Sequence, residues 1–202
     1  MSPGDYRVGA VLLAAGASQR FGDRNKLLTD FSGRPMVRHV ARAVLESRAA
    51  PIIAVTGDDH AAVEKALAGL ALQIVRNGNY EHGMSSTLRV GIRALLEHRT
   101  TPVDGAVICL ADMPWVRAEH VDALIGAFDP AHGRPICVPV YDRRRGNPVL
   151  WASSYFDEIG EITGDVGARG LLARHPASVH EVPVDDAGVV RDVDSPHQIE
   201  PH

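Results

Sequence analysis

The residues with the clearest chemical potential lie in the run VGAVLLAAGASQRFGDRNKLL, from Val8 to Leu28. Within it Gly16, Ser18, Arg20, Gly22 and Lys26 combine permissive backbone, a hydroxyl, a planar guanidinium and a mobile ammonium. That set suits a polyphosphate. The amides of a Gly-containing turn form an anion-binding concavity, Arg grips phosphate oxygens with paired donors, and Lys acts as a point charge. Two familiar phosphate loops are excluded: Gly22 is followed by Asp23 and Lys26 by Leu27, which is not a Walker A loop, and G-x-G-x-x-G is missing. A second chemical position is Asp112 in DGAVICLADMPWV (104–116), where one carboxylate follows an apolar strand. Mg²⁺ takes one or two carboxylates together with phosphate oxygens and water, so Asp112 is a candidate ligand; the alternative is a cap for the following helix. Ser85, Ser86 and Thr87 announce a helix start, where hydroxyls and free N–H groups serve either as caps or as contacts to a base or phosphate. Asp192 and Asp194 alternate along a short extended segment, so both emerge on one face. The basic turn Arg143-Arg144-Arg145 reads either as a solvated tip or as a phosphate contact.

These positions need a scaffold, and the apolar pattern supplies one. Val8 to Leu13 reads as a buried parallel-type strand that stops at Ala14, Ala15 and Gly16. A helix over 35–47 follows, with Val37, Val40, Ala41, Val44 and Leu45 on one face and Pro35 as its first residue. Then come a strand at 51–57, a helix carrying Val63, Ala66, Leu67 and Leu70, and a short strand at 72–76. This βαβαβ alternation implies a parallel sheet with helices on both faces and ligands beyond the carboxyl ends of the strands. Further on, the pattern predicts a helix with Leu88, Ile92, Leu95 and Leu96, a strand Ala106 to Leu110 and a helix Arg117 to Phe128. A strand Ile136 to Tyr141 returns through the turn 142–146 into NPVLW, and Gly164, Asp165 and Gly167 turn into a helix with Leu171 and Leu172. Asp112 therefore belongs at the ligand edge.

Composition narrows the class. The 202 residues suggest one α/β domain spanning 1–202, and with 45% hydrophobic and 23% charged residues the chain reads as neither disordered nor membrane-embedded. No apolar run approaches the ~18 residues that span a bilayer, and MSPGDYR lacks the apolar core of a signal peptide, so a cytoplasmic protein is expected. A net charge of −4 leaves no global basic footprint for nucleic acid and points instead to a small phosphorylated ligand met by local charge. Cys109 and Cys137 lie in separate apolar runs without C-x-x-C spacing and read as buried, inert thiols. The ten histidines form no zinc-ligand spacing.

Taken together, LAAGASQRFG followed by NKLL resembles the L-A-[AG]-G-x-S-x-R-[MF]-G-x-x-K pattern of the nucleotidyltransferases that act on molybdopterin. The double Ala before Gly16 is similar to the cytidylyltransferase branch, since the guanylyltransferase branch usually has Gly at the place of Ala15. GMSST resembles that branch's G-[ML]-S-[ST]-S segment, LADMP its L-[AG]-D-[MQ]-P, and Arg145-Gly146-Asn147-Pro148 the R-G-[HN]-P loop bordering the pterin. GDVGAR and DVDSP resemble G-D-x-G-[AV]-R and D-[IV]-D-[TS]-P, although Pro196 precedes His197 and Gln198 where the family is acidic. The resemblance is to the molybdenum cofactor cytidylyltransferase-like family. It implies a three-layer, Rossmann-like fold of the nucleotide-diphospho-sugar transferase type, with a mostly parallel central sheet. It further implies transfer of CMP from CTP to molybdopterin with release of pyrophosphate, Mg²⁺ being held by Asp112 and Asp194. Arg20, Lys26 and Asp112 would be catalytic. Ala14, Ala15, Gly16, Ser18, Gly22, Lys26, Ser85, Ser86 and Thr87 would bind the nucleotide, and Arg145, Asn147, Asp165 and Arg169 the acceptor. A molybdoenzyme or its chaperone would receive the product. The alternatives are another phosphorylated acceptor, GTP as donor, or a non-catalytic nucleotide- or cofactor-binding chaperone.

Overall fold

The computed structural model describes residues 6–16, 25–98, 102–164 and 167–195. In chain order the elements are β1 (Val8–Ala14), β2 (Asp30–Phe31), β3 (Arg34–Pro35), α1 (Met36–Leu45), β4 (Ile52–Thr56), α2 (His60–Leu67), β5 (Gln73–Arg76) and α3 (Met84–Leu96). They continue with β6 (Gly105–Leu110), α4 (Ala118–Ala127), β7 (Ile136–Tyr141), β8 (Arg144–Arg145), β9 (Val149–Ala152), α5 (Phe156–Glu161), α6 (Arg169–Arg174) and β10 (Val179–Pro183).

One sheet runs in the order β10-β7-β9-β6-β1-β4-β5, with β8 paired to β7. The pairs β1–β4, β1–β6, β4–β5 and β7–β10 are parallel, while β9 runs antiparallel to β6 and β7. The strands β1, β4, β5, β6, β7 and β10 consequently end at the same edge. Residues of β1 alternate between two cores. Ala10, Leu12 and Ala14 pack with Val37, Val40 and Val44 of α1, Val63 and Leu67 of α2, and Val121 and Leu124 of α4. Val11 and Leu13 pack with Leu88, Ile92 and Leu95 of α3, Phe156 and Ile159 of α5, and Leu171 of α6. The expected three layers follow from that alternation.

Close approach of the helical layer depends on Gly91, where a Cβ would sit 2.3 Å from Val11 Cγ1. Element ends differ from the sequence pattern by one to three residues, and two of the shifts have a local cause. Pro35 lies outside α1, held in extended backbone by pairing with Asp30, and α1 begins at Met36. The helix carrying Val63 stops at Leu67, ahead of Gly69 in the left-handed region at φ +77°. Both cysteines are free and buried, and burial pushes their thiols up to about 12. Among the described residues no helix is long and apolar enough to cross a membrane.

Candidate active site

Strand β6 keeps its register with β1 to the end, where the Ala111 N–H donates to Leu13 O at 3.2 Å and delivers Asp112 to the carboxyl edge. There Asp112 Oδ2 accepts Lys26 Nζ at 2.6 Å, each side chain about one-fifth exposed (22% and 20%). The other oxygen, Oδ1, is buried and has no hydrogen-bond partner. A buried carboxylate oxygen left without a donor carries a desolvation cost of a few kcal/mol (~1–3), which a bound cation would relieve. Lys26 is placed by its neighbours. Asn25 caps the turn Lys26–Leu28 by accepting the Leu27 N–H at 3.0 Å, Leu27 anchors it in the core, and Asn25 Nδ2 donates to Asp58 O beyond β4. Asn25 is a residue that the motif reading passed over; a capping residue before an apolar anchor is the signal that marks it.

The carboxyl ends of β1 and β4 are drawn together at Ala15 and Gly57. Asp58 N donates to Ala15 O, and a Cβ at Gly57 would lie 2.6 Å from Ala15 Cβ and 2.7 Å from Tyr80 Cβ. Ala14 and Ala15 are buried, whereas Gly16 is exposed and a Cβ there would meet nothing within 4 Å. The hydroxyls expected near the nucleotide are buried at the start of α3, and two are occupied within the protein. Asn77 Nδ2 donates to Ser86 Oγ at 2.8 Å and to Thr87 Oγ1 at 3.1 Å, while the single Ser86 hydroxyl hydrogen has the Gly83 and Asn79 carbonyls within reach, at 2.8 and 2.9 Å. They shape the loop 77–83. Ser85 offers its backbone, donating N–H to Gly164 O at 3.2 Å, and Arg89 Nη2 ties Ile162 O to the same helix. Asn77, with only 2% of its surface exposed, is the second residue the sequence reading missed: in the turn-rich string NGNYEHG it looks like any other turn former.

Beyond β10 the chain crosses the carboxyl edge as a strap. Val184 N donates to Val140 O, Asn147 N to Val189 O at 2.8 Å, and Val193 N to Asp112 O at 2.9 Å. Lys26 Nζ also reaches Val193 O at 3.3 Å. Val193 is buried between exposed Asp192 and Asp194, the alternation expected of that segment, so Asp194 springs from backbone that lies against Asp112. Glycines permit the close fit: a Cβ at Gly146 would meet Val189 O at 2.0 Å, and one at Gly188 would meet Trp115 O at 2.4 Å. Arg191 lies over the Trp115 ring, 4.1 Å from its centroid.

Among the expected acceptor residues, Asn147 sits under the strap, Arg145 on β8 turns its Nε to Glu181 at 2.7 Å, and Arg169 is exposed at the start of α6. Ser18, Arg20, Gly22 and Asp165 lie outside the described residues. Lys26, Asp112 and the backbone beside Asp194 are thus brought together, while Ser86 and Thr87 form a separate cluster with Asn77 and Ser85 is tied to Gly164.

Residues 10–179 match the MobA-like NTP transferase domain. The purine catabolism protein PucB of Bacillus subtilis is 28% identical over 96% of this chain and 94% of its own. A protein named nicotine blue oxidoreductase, from Paenarthrobacter nicotinovorans, is 27% identical over 95% of this chain and 94% of its own. The crystal structure of Rv0371c from Mycobacterium tuberculosis superposes with a TM-score of 0.80 at 26% identity, over 96% of this chain and 95% of that one. The three-layer sheet is accordingly that of the nucleotide-diphospho-sugar transferase fold. Since the domain match takes in most of β1, the start of α3 and Asp112 alike, this chain belongs to the MobA-like NTP transferase domain family and is a nucleotidyltransferase.

Proposed function

We propose that the chain transfers CMP from CTP to molybdopterin and releases pyrophosphate. The observation that carries the reading is Asp112 at the carboxyl edge, with Lys26 on one oxygen and the other buried and unpartnered. Nucleotidyl transfer needs little covalent work from the protein. An oxygen of the acceptor's terminal phosphate attacks the α-phosphorus of CTP as the bond to the β-phosphate oxygen breaks, and pyrophosphate leaves with the electron pair. The attacking oxygen is already anionic near neutral pH, so positioning and charge neutralisation carry the catalysis and no general base is required.

A divalent cation fits the residues present. Asp112 supplies an unused hard oxygen and Asp194 springs from the adjoining strap, so these two would hold Mg²⁺, the rest of its coordination falling to phosphate and water. When bound, the cation neutralises charge on the reacting phosphates. Lys26 would stabilise the triphosphate and the leaving pyrophosphate, with Arg20 alongside it. Ala14 and Ala15 would floor the nucleotide site, and open space above Gly16 would let phosphate approach backbone; Ser18 and Gly22 are assigned to the same site from the sequence. The start of α3 would border the base, its shape held by Ser86, Thr87 and Asn77. Asn147 and Arg145, together with Asp165 and Arg169, would border the acceptor.

Incubating the protein with each of the four NTPs, Mg²⁺ and molybdopterin, and assaying pyrophosphate, tests the reading. CTP is expected to support release well above GTP or ATP, because buried hydrogen-bonding groups left unmatched by the wrong base cost ~1–3 kcal/mol each. Equal rates with GTP would remove the cytidylyl assignment, and release that does not depend on molybdopterin would remove the acceptor.

A further inference from the structure

The strap is fastened where it begins by a carboxylate that no sequence motif marks. Asp186 divides its two oxygens. Oδ1 accepts the Gly188 N–H at 2.7 Å and turns the chain into the short helical turn Ala187–Val190. Oδ2 faces the start of α4, where it meets Nε2 of the buried His120 at 3.2 Å and pairs with the Arg117 guanidinium. His120 Nδ1 accepts the Arg117 N–H at 3.2 Å, so the ring hydrogen belongs on Nε2 and points at Asp186. Burial pushes the Asp186 carboxyl up, but the Gly188 amide, His120 and Arg117 outweigh it and hold the group below its ordinary value. From this latch the strap runs past Trp115 and Gly146 to Val193, which bonds Asp112.

We propose that Asp186 is a positioning residue for nucleotidyl transfer: by latching the strap to α4 it fixes the backbone that carries Asp194 beside Asp112. This rests on the reading of Asp112 and Asp194 as cation ligands. Mg²⁺ and Mn²⁺ sites assembled from distant segments tolerate little displacement, and a shift of about 1 Å can cost on the order of 10²-fold in rate. Asp186→Asn keeps the shape and the acceptor for Gly188 but turns an amide NH₂ toward His120 Nε2–H and Arg117, setting donor against donors. The strap keeps its own turn and loses its tie to α4.

Mn²⁺ binding to the nucleotide-free protein, followed by electron paramagnetic resonance, gives a readout independent of turnover. Asp186→Asn is expected to weaken Mn²⁺ roughly tenfold and to lower kcat more than it raises KM for CTP. In an Asp194→Asn background the same change should have no further effect on Mn²⁺, because the group it positions is already gone. Arg117→Met removes one tie only, so it should weaken Mn²⁺ less, again without effect in the Asp194→Asn background; it also serves if Asp186→Asn does not fold. If Asp194→Asn binds Mn²⁺ as the wild type does, the two-carboxylate reading fails and the inference with it. If Asp194→Asn weakens binding but Asp186→Asn and Arg117→Met do not, or their effects multiply with it, positioning by Asp186 is overturned while the cation site stands.

Discussion

Lys26 stands where a metal and a triphosphate would both make demands on it. Its ammonium lies 2.6 Å from Asp112 and neutralises it. A divalent cation reaching Asp112 must work against that ammonium, and a triphosphate offers Lys26 a more negative partner to move to. Two opposite effects of Lys26→Met follow. In the nucleotide-free protein Mn²⁺ should bind more tightly than in the wild type, because its competitor at Asp112 is gone. With CTP, kcat/KM should fall by about 2–4 kcal/mol in transition-state terms, as expected for a lost charge-assisted contact. Titration of Mn²⁺ by electron paramagnetic resonance and steady-state kinetics on one variant test both halves; a lysine that is only surface charge would change neither. Asp112 was legible in the sequence because it closes an apolar strand with a carboxylate, and Lys26 because it follows a Gly-, Ser- and Arg-bearing loop after the first strand. Asp186 was not, because its partners Arg117 and His120 lie about 70 positions earlier and only the fold brings them to it.

The strands and helices that build the two cores were legible from their apolar pattern, since β1 and β4 are continuous apolar runs buried on both faces while α1 and α3 each bury one face. What escaped was short or held by polar contacts. β10 has a mixed pattern, with one buried residue in VHEVP, and is recruited by parallel pairing to β7. The strap shows alternation only at Asp192–Asp194 and is held by backbone bonds to Val140, Asn147 and Asp112. The start of α3 shows how such polar elements work. Its serine and threonine suggested ligand contacts, but Asn77 engages Ser86 and Thr87, and through them the loop 77–83 is joined to the helix. Asn77 also ends β5 by donating its N–H to Thr56 O at 2.7 Å. Asn77→Ala removes the buried amide and leaves two hydroxyls short of a donor. Stability should fall by about 1–3 kcal/mol in urea denaturation, and KM for CTP should rise if the loop borders the base as proposed, because it loses its tie. A change in stability without any change in KM would confine Asn77 to the scaffold.

Across the whole molecule the sheet divides its labour between its two edges. At the amino edge the carboxylates are satisfied: Asp104 accepts the Arg7 N–H at 2.8 Å, and Asp129, with its side chain 3% exposed, accepts from Tyr6 and Arg134 and contacts His132. At the carboxyl edge Asp112 keeps an oxygen unpartnered. One edge is built for stability and the other for chemistry, which is the arrangement parallel sheets favour. Asp129 gives this division a measurable consequence. The hydrogen bond with His132 is the largest influence holding its carboxyl below the ordinary value; burial opposes it, and the Arg134 and Tyr6 contacts lower it further. A carboxyl with a folded pKa below its unfolded one adds stability that is fully present above the unfolded value of about 3.9 and is lost as pH falls through the folded value. Asp129→Asn removes that contribution and leaves Tyr6, His132 and Arg134 facing a neutral amide. The variant should therefore melt below the wild type at pH 7, and the gap should narrow as pH drops beneath about 4, where the wild type protonates the same group. Thermal melts of both proteins from pH 7 down to pH 3 make the comparison, with pyrophosphate release at pH 7 and a temperature well below either Tm as the second readout. That activity should be unchanged, because Asp129 belongs to the opposite edge from Asp112; a gap in Tm that stayed constant with pH would assign the loss to packing and not to charge.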